Sequence, residues 1–199
     1  MELFDAIVGR RSIRNFKDRE VENKKIGLIL ESCRWSPSAG NRQPWEIVIV
    51  DDVEIIKKIT CAAFNQSWIE TAPVVLAVCL NKKIAKSSFG DRGELYALQT
   101  IGASIQSMML TAYSLGLGSC CVSAFDEEEM AEILNCPDVV RPVALIPIGY
   151  PKEDPKPPRR DDINQFSYTN QYGEKLCGPE WKGLARYSRD LKRKLSKHL

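Results

Sequence analysis

The 199-residue chain has one histidine, His198, next to its last residue. That scarcity leaves no Ser-His-Asp or Cys-His arrangement for nucleophilic catalysis and no Cys/His zinc site. The seven cysteines include no C-x-x-C pair, so redox and metal spacings of that kind are also missing. There is no Walker A sequence. Gly116-Leu117-Gly118 lacks the third glycine of a dinucleotide fingerprint and precedes a strand instead of following one, so Gly116 reads as a helix C-cap. No apolar run approaches membrane-span length and no signal-peptide h-region opens the chain, so the cytoplasm is the expected compartment. An enzyme this poor in acid–base and metal-binding side chains does best with a cofactor that brings its own chemistry.

The composition is that of a globular chain long enough for one domain with a sizeable core, 44% hydrophobic. The net charge is +2, but Lys182 to Leu199 holds seven Lys/Arg and one Asp, a local +6 that leaves −4 for the rest. The main body therefore has no general affinity for nucleic acid. Within the tail, Leu184, Tyr187, Leu191 and Leu195 share one helical face opposite the basic one. Docking of that face on the body or a partner subunit is one reading; a nucleic-acid or membrane-surface module is the other. Adjacent Cys120 and Cys121 sit in an apolar run, where buried reduced thiols are the default and a redox role the alternative.

Helices and strands alternate. Leu3, Phe4, Ile7 and Val8 make a helical stripe over residues 2–8. A helix over 23–34 has Asn23 as N-cap and turns Ile26, Leu28, Ile29, Leu30 and Cys33 inward. Trp45 to Val50 reads as a strand, and Asp51 or Asp52 caps a helix through about residue 61. Pro73 to Leu80 is apolar at every position, a strand buried on both faces. A long helix over 92–115, rich in small residues, belongs deep in the fold or in a subunit interface. Strands follow at 119–124 and 141–150, separated by a helix that starts after Asp126 with acids in its first turn. The expected fold class is α+β, with a central, mostly antiparallel sheet flanked by helices.

Two loops carry the chemistry. Arg10, Arg11, Ser12 and Arg14 put three guanidiniums and a hydroxyl within five residues, suited to a phosphate. The bland reading is a cationic helix end stabilised by the macrodipole. Pro37 to Pro44 joins two prolines, a glycine able to take positive φ, and the amides of Asn41 and Gln43. It suits a flat heterocycle with donors and acceptors on its edge, or an ordinary helix-to-strand loop.

In order, Arg-Arg-Ser-x-Arg-x-Phe, Pro-Ser-x-x-Asn-x-Gln-Pro-Trp, Ala72-Pro73, Leu115-Gly116-Leu117-Gly118 and Ile148-Gly149-Tyr150-Pro151 resemble the nitroreductase family over roughly residues 2–165. The tail from Phe166 onward is not part of that match. The resemblance implies a domain over 1–165 and a C-terminal extension over 166–199 belonging to the same structural unit. It implies a homodimer with FMN at the interface and the long helix between subunits. Arg10, Ser12 and Arg14, with Arg11 assisting, would hold the phosphate and the ribityl or ring edge. Pro37, Ser38, Ala39 and Asn41 would come from the partner chain, supported by Gln43. Asn65 would hydrogen-bond the ring, Ser123 and Ala124 would sit beside it, and Arg159 or Arg160 would close on the phosphate. Trp68 stands where many relatives carry a lysine, so some other donor, Arg14 being one candidate, would have to supply the positive charge at the pyrimidine edge.

The implied activity is ping-pong transfer of hydride from NAD(P)H through FMN to a small acceptor: a nitroaromatic, quinone, enone or flavin. No side chain is assigned as catalytic, because the flavin N5 carries the chemistry. No metal, nucleic acid or membrane partner is expected. The alternative within the same fold is a flavin enzyme of dehalogenase, flavin-fragmenting or azoline-dehydrogenase type.

Overall fold

The computed structural model describes residues 1–175. They fall into two units, 1–155 and the part beginning at Lys156. The first unit runs α1 (Leu3–Gly9), α2 (Asn23–Arg34), β1 (Trp45–Val50), α3 (Val53–Ala62), β2 (Val74–Asn81), α4 (Lys82–Phe89), α5 (Gly93–Ser114), β3 (Gly118–Ser119), α6 (Glu127–Ile133) and β4 (Val140–Gly149). The four strands form one antiparallel sheet in the order β1-β2-β4-β3.

The uniform apolarity of β2 follows from its central place. Side chains alternate across a strand, so Leu76, Val78 and Leu80 turn to one face and Val75 and Ala77 to the other. On the first face they pack with Ile29 of α2 and Ile101 and Met108 of α5. On the second they meet Ile56 and Ile59 of α3 and Met130 of α6. Both faces are covered, giving three layers with β2 and β4 between helices.

Local chemistry sets the helix ends. Asp52 accepts from the N–H groups of Glu54 and Ile55 at 2.8 and 3.0 Å, starting α3. Asp126 accepts from Glu129 N–H at 2.9 Å, starting α6. Gly116, at φ 77°, ends α5 as the sequence suggests.

Three expectations need correcting, and one helix was not foreseen. Glu22, not Asn23, holds the N-cap position of α2, and its side chain makes no capping bond. Its carboxylate is drawn to the Tyr150 hydroxyl, 2.7 and 2.8 Å from its two oxygens. Leu28 is exposed instead of inward, the α2 core face being Ile26, Ile29 and Cys33. α4 was not foreseen; Asn81 caps it, accepting from Lys83 and Ile84 N–H at 3.1 Å each.

The expected strand over 119–124 shrinks to Gly118–Ser119 plus a bridge from Val122 to Leu145. The register is unbroken, since Ser119 faces Ile148 and Val122 faces Leu145. Between them Cys120 donates to the Pro147 carbonyl at 3.4 Å. Pro147 has no N–H to return the bond, so the ladder lapses there.

The second unit, as far as residue 175, contains α7 (Ile163–Phe166). Asp162 and Gln165 form a capping box at its start. The expected basic helix of the tail lies outside the described residues.

Candidate functional site

The Arg10–Phe16 segment leaves α1 and lies along the end of the sheet. Ile13 N–H donates to Ser119 O at 3.1 Å, Ser12 bridges Ser119 in parallel sense, and Phe16 bridges Pro151. Close approach requires Gly118, because a Cβ there would sit 2.7 to 2.9 Å from three atoms of Ile13. The glycine that fails as a dinucleotide fingerprint therefore seats the arginine segment.

That seating opens a cavity of about 500 Å³ lined by Arg10, Ser12, Cys121 and Ser123 on one side. Gly102 and Ile105 of α5 are among the residues opposite. Residues far apart in sequence, Arg10, Ser12 and Ser123, thus share one space. Nε and Nη1 of Arg10 are buried and, among the described residues, without a hydrogen-bond partner. Unsatisfied buried guanidinium nitrogens are costly. An anionic group in the cavity would satisfy them, so the donor set suits a phosphate.

The arginines differ in their surroundings. Arg11 donates through Nη1 to the carbonyls of Val8 and Arg10 at 2.6 and 2.9 Å, capping its own helix end. Its Nε is also buried, with no partner among the described residues. Arg14 donates its backbone N–H to Glu153 at 2.6 Å. Its guanidinium carbon lies 5.8 Å from the Trp68 ring centroid, within cation–π range. Trp68 packs on Ile13, Phe16 and Ala72.

Sequence reasoning missed Cys121 as a wall of this cavity. Burial pushes the Cys120 thiol above the ordinary cysteine range, and desolvation by the surrounding protein does the same at Cys121 although that residue is exposed. The hydroxyl of Ser12 and the charges of Arg14 and Arg10 pull the other way at Cys120. Both thiols are protonated at neutral pH, which weakens them as nucleophiles.

A second strained group lies in the Asn65 loop. Phe64 and Asn65 have φ of 56° and 57°, a left-handed conformation uncommon outside glycine. Gln66 ties this loop to the Ser123-Ala124 segment, donating through Nε2 to the carbonyls of Ala63 and Ala124 at 3.0 and 3.2 Å.

The Pro37–Gln43 loop also carries left-handed residues. Gly40, Asn41 and Gln43 have φ of 56°, 55° and 51°. Backbone strain of this kind persists where surrounding bonds over-determine it. Gln43 Nε2 donates to Asn41 Oδ1 at 3.2 Å, Gln43 N–H to Ser38 Oγ at 3.3 Å, and Ala39 N–H to Thr100 Oγ1 at 3.3 Å. Pro37 is exposed at its start. In one chain this loop does not border the arginine cavity; Ala39 and Arg42 line a separate groove with α4 and α5. Arg159 and Arg160 belong to the second unit, where Arg160 donates to the Arg159 carbonyl at 3.3 Å.

A profile of the nitroreductase family matches residues 7–66 and 60–150, most of the first unit. The chain belongs to the nitroreductase family. It is 34% identical to the NADH dehydrogenase of Thermus thermophilus over 183 residues, 78% of this chain and 89% of that one. It is 29% identical to the FMN reductase (NAD(P)H) of Bacillus subtilis over 188 residues, 85% of this chain and 76% of that one. Among solved structures, NfrA2 of B. megaterium superposes with a TM-score of 0.77 at 29% identity, covering 87% of this chain and 78% of its own. The nitroreductase fold foreseen from the ordered motifs is thus the fold observed, antiparallel sheet and long central helix included.

Proposed function

We propose that this nitroreductase-family protein is an FMN-dependent oxidoreductase that uses NAD(P)H to reduce a small acceptor. The observation that carries the reading is the cavity where Arg10 Nε and Nη1 are buried without partners beside Ser12 and Ser123. The similarity to an FMN reductase supports it. When bound, FMN would supply the two-electron redox chemistry that links a nicotinamide donor to the acceptor.

The chain's own residues bind and orient. Arg10 and Ser12 would hold the phosphate and ribityl chain through charge-assisted hydrogen bonds. Arg11 would assist mainly by fixing the helix end from which Arg10 projects. Arg14, positioned over Trp68, would place its positive charge at the pyrimidine edge, where relatives use a lysine. Asn65 would hydrogen-bond the ring, and Ser123 and Ala124 would lie beside it, the two loops being held together by Gln66. Arg159 or Arg160 would close on the phosphate. No acid–base pair is needed; positioning and a polar ring edge do the work.

The active unit on this reading is a homodimer. A second copy would bring Pro37, Ser38, Ala39 and Asn41, braced by Gln43, to the cavity that one chain leaves without them. It would also cover apolar side chains exposed on α1 and α5, including Leu3, Ile7 and Leu95. Among the described residues no helix is long and apolar enough to cross a membrane. The cytoplasm is the proposed compartment, in keeping with the free thiols of the six described cysteines. The acceptor's class, whether nitroaromatic, quinone, enone or flavin, is open to assay.

The test is the visible spectrum of the purified protein, followed by anaerobic NADH or NADPH. A yellow protein that bleaches is the expected result. Yellow without bleaching points to dehalogenase-like or other non-standard flavin chemistry, and a colourless protein that refuses added FMN sinks the proposal.

A further inference from the structure

The segment that carries the arginines is fastened on two sides. Ile13 N–H donates to the Ser119 carbonyl of β3 at 3.1 Å. Beyond it the chain runs against the exit of β4. Lys17 N–H donates to the Tyr150 carbonyl at 2.8 Å, Lys152 N–H donates to the Asn15 carbonyl at 2.9 Å, and Phe16 bridges Pro151. Gly149 permits this approach, because a Cβ there would fall 2.7 Å from Pro73 Cδ and 3.0 Å from Phe16 Cδ1. Each of these fastenings joins backbone to backbone. The Arg14 N–H is the exception: it donates to a side chain, Glu153 Oε1, at 2.6 Å.

Glu153 is an unexpected residue beside a phosphate clamp. The Cys120 thiol registers how close it stands to the cations. Burial raises that thiol most, Arg14, the Ser12 hydroxyl and Arg10 lower it, and Glu153 raises it again. A carboxylate in this cluster opposes an incoming anion by Coulomb repulsion. Neutralising Arg14 is not its task, since among the described residues Glu153 forms no salt bridge. Its oxygen is engaged by a backbone N–H, a charge-assisted bond about twice as strong as a neutral one. The Arg14 guanidinium has no ion pair among the described residues either, and its carbon lies 5.8 Å from the Trp68 ring centroid. The carboxylate thus holds the backbone of Arg14 and leaves its charge available to a ligand.

We infer that Glu153 is a positioning residue for the cofactor site: by clasping the Arg14 backbone it aims the Arg14 guanidinium, over Trp68, at the edge of the flavin ring. The inference rests on the flavin reading, in which Arg14 supplies the positive charge at the pyrimidine edge. Glu153 takes one end of the residue and Trp68 the other, while Ile13 and Phe16, both buried, anchor the stretch on either side.

The test compares Glu153→Ala with Glu153→Gln in the full-length protein. Glutamine keeps an oxygen that accepts the Arg14 N–H and loses the charge; alanine loses both. Glu153 is exposed, so neither change opens the core. Three quantities are read: FMN affinity of the apoprotein by fluorescence titration, the midpoint potential of the bound flavin, and backbone hydrogen exchange over residues 13–17. Glu153→Ala is expected to weaken FMN affinity about tenfold, the low end for a hydrogen bond to a charged group. It should also lower the potential, because a misaimed cation stabilises reduced flavin less, and speed the exchange. Glu153→Gln is expected to restore most of the affinity and the potential. In an Arg14→Ala background, Glu153→Ala should cost little further affinity, since the two act through one contact. An alanine variant with wild-type affinity and potential overturns the inference. So does a glutamine variant as impaired as the alanine one, and so do additive losses in the double variant. Wild-type apoprotein that takes up no FMN sinks the flavin reading instead. Faster exchange in Glu153→Ala then still upholds the clasp, and unchanged exchange overturns it.

Discussion

At the residue scale, three arginines in five positions end up with three different tasks. Arg10 alone lines the cavity with unpartnered buried nitrogens; Arg11 is turned back on the α1 carbonyls; Arg14 lies over Trp68. Truncating them should separate these roles. Arg10→Ala is expected to weaken FMN affinity by about 1.5–3 kcal/mol, the range for hydrogen bonds to charged groups. Arg11→Ala should lower the melting temperature with a smaller loss of flavin affinity, since it removes a cation from a helix C-terminus. Flavin titrations and thermal melts of the two variants decide it: equal affinity losses would show that the arginines act as one cluster. The basic run was legible in the sequence, but the division of labour was not. It depends on Ile13 pairing with Ser119, a contact between distant parts of the chain that no local period reports. Gly118→Val tests that contact, because the added side chain would push Ile13 away and is expected to abolish flavin binding.

At the scale of elements, what the sequence revealed followed the strength of the pattern. β1, β2, α2, α3 and α5 were visible because their apolar periods are strong and their ends carry Asp52 or Gly116. α4 escaped notice because its Lys-Lys-Ile-Ala-Lys run is mostly polar, and the Asn81 cap was its one clear signal. β3 was overextended because the ladder depends on Pro147 of the neighbouring strand. The link between α2 and β4 makes a pH prediction. Hydrogen bonding from Tyr150 holds the Glu22 carboxyl at about 2, against an ordinary value of 4.5, with Lys25 and Arg19 helping. A carboxyl depressed in the folded state stabilises the fold above its unfolded value and loses that contribution as pH falls towards its folded one. Wild type should therefore lose stability between about pH 4.5 and 2 beyond what Tyr150→Phe loses. Melting curves of both proteins at pH 7 and pH 3 measure the difference, and parallel losses would remove Tyr150 as the cause.

For the whole molecule, the decisive fact is that the arginine cavity and the Pro37–Gln43 loop do not meet within one chain. A homodimer is the expected state in solution, with one FMN per chain. Ile7→Glu, on an exposed apolar position of α1, should shift the protein towards monomer and release flavin together with the partner. Light scattering with flavin absorbance on the same column measures both. A monomer that keeps its flavin would contradict the shared site.

The same loop has a calorimetric consequence. Its left-handed residues are held by its own bonds, Gln43 to Asn41 and Gln43 to Ser38. On the proposed reading, ordering done during folding would leave flavin recognition by this loop little entropic penalty. Gln43→Ala removes the side-chain brace without touching the arginine cavity. Its expected signature is a more unfavourable binding entropy at nearly unchanged enthalpy: the cost of shaping the loop is moved from the moment of folding to the moment of binding.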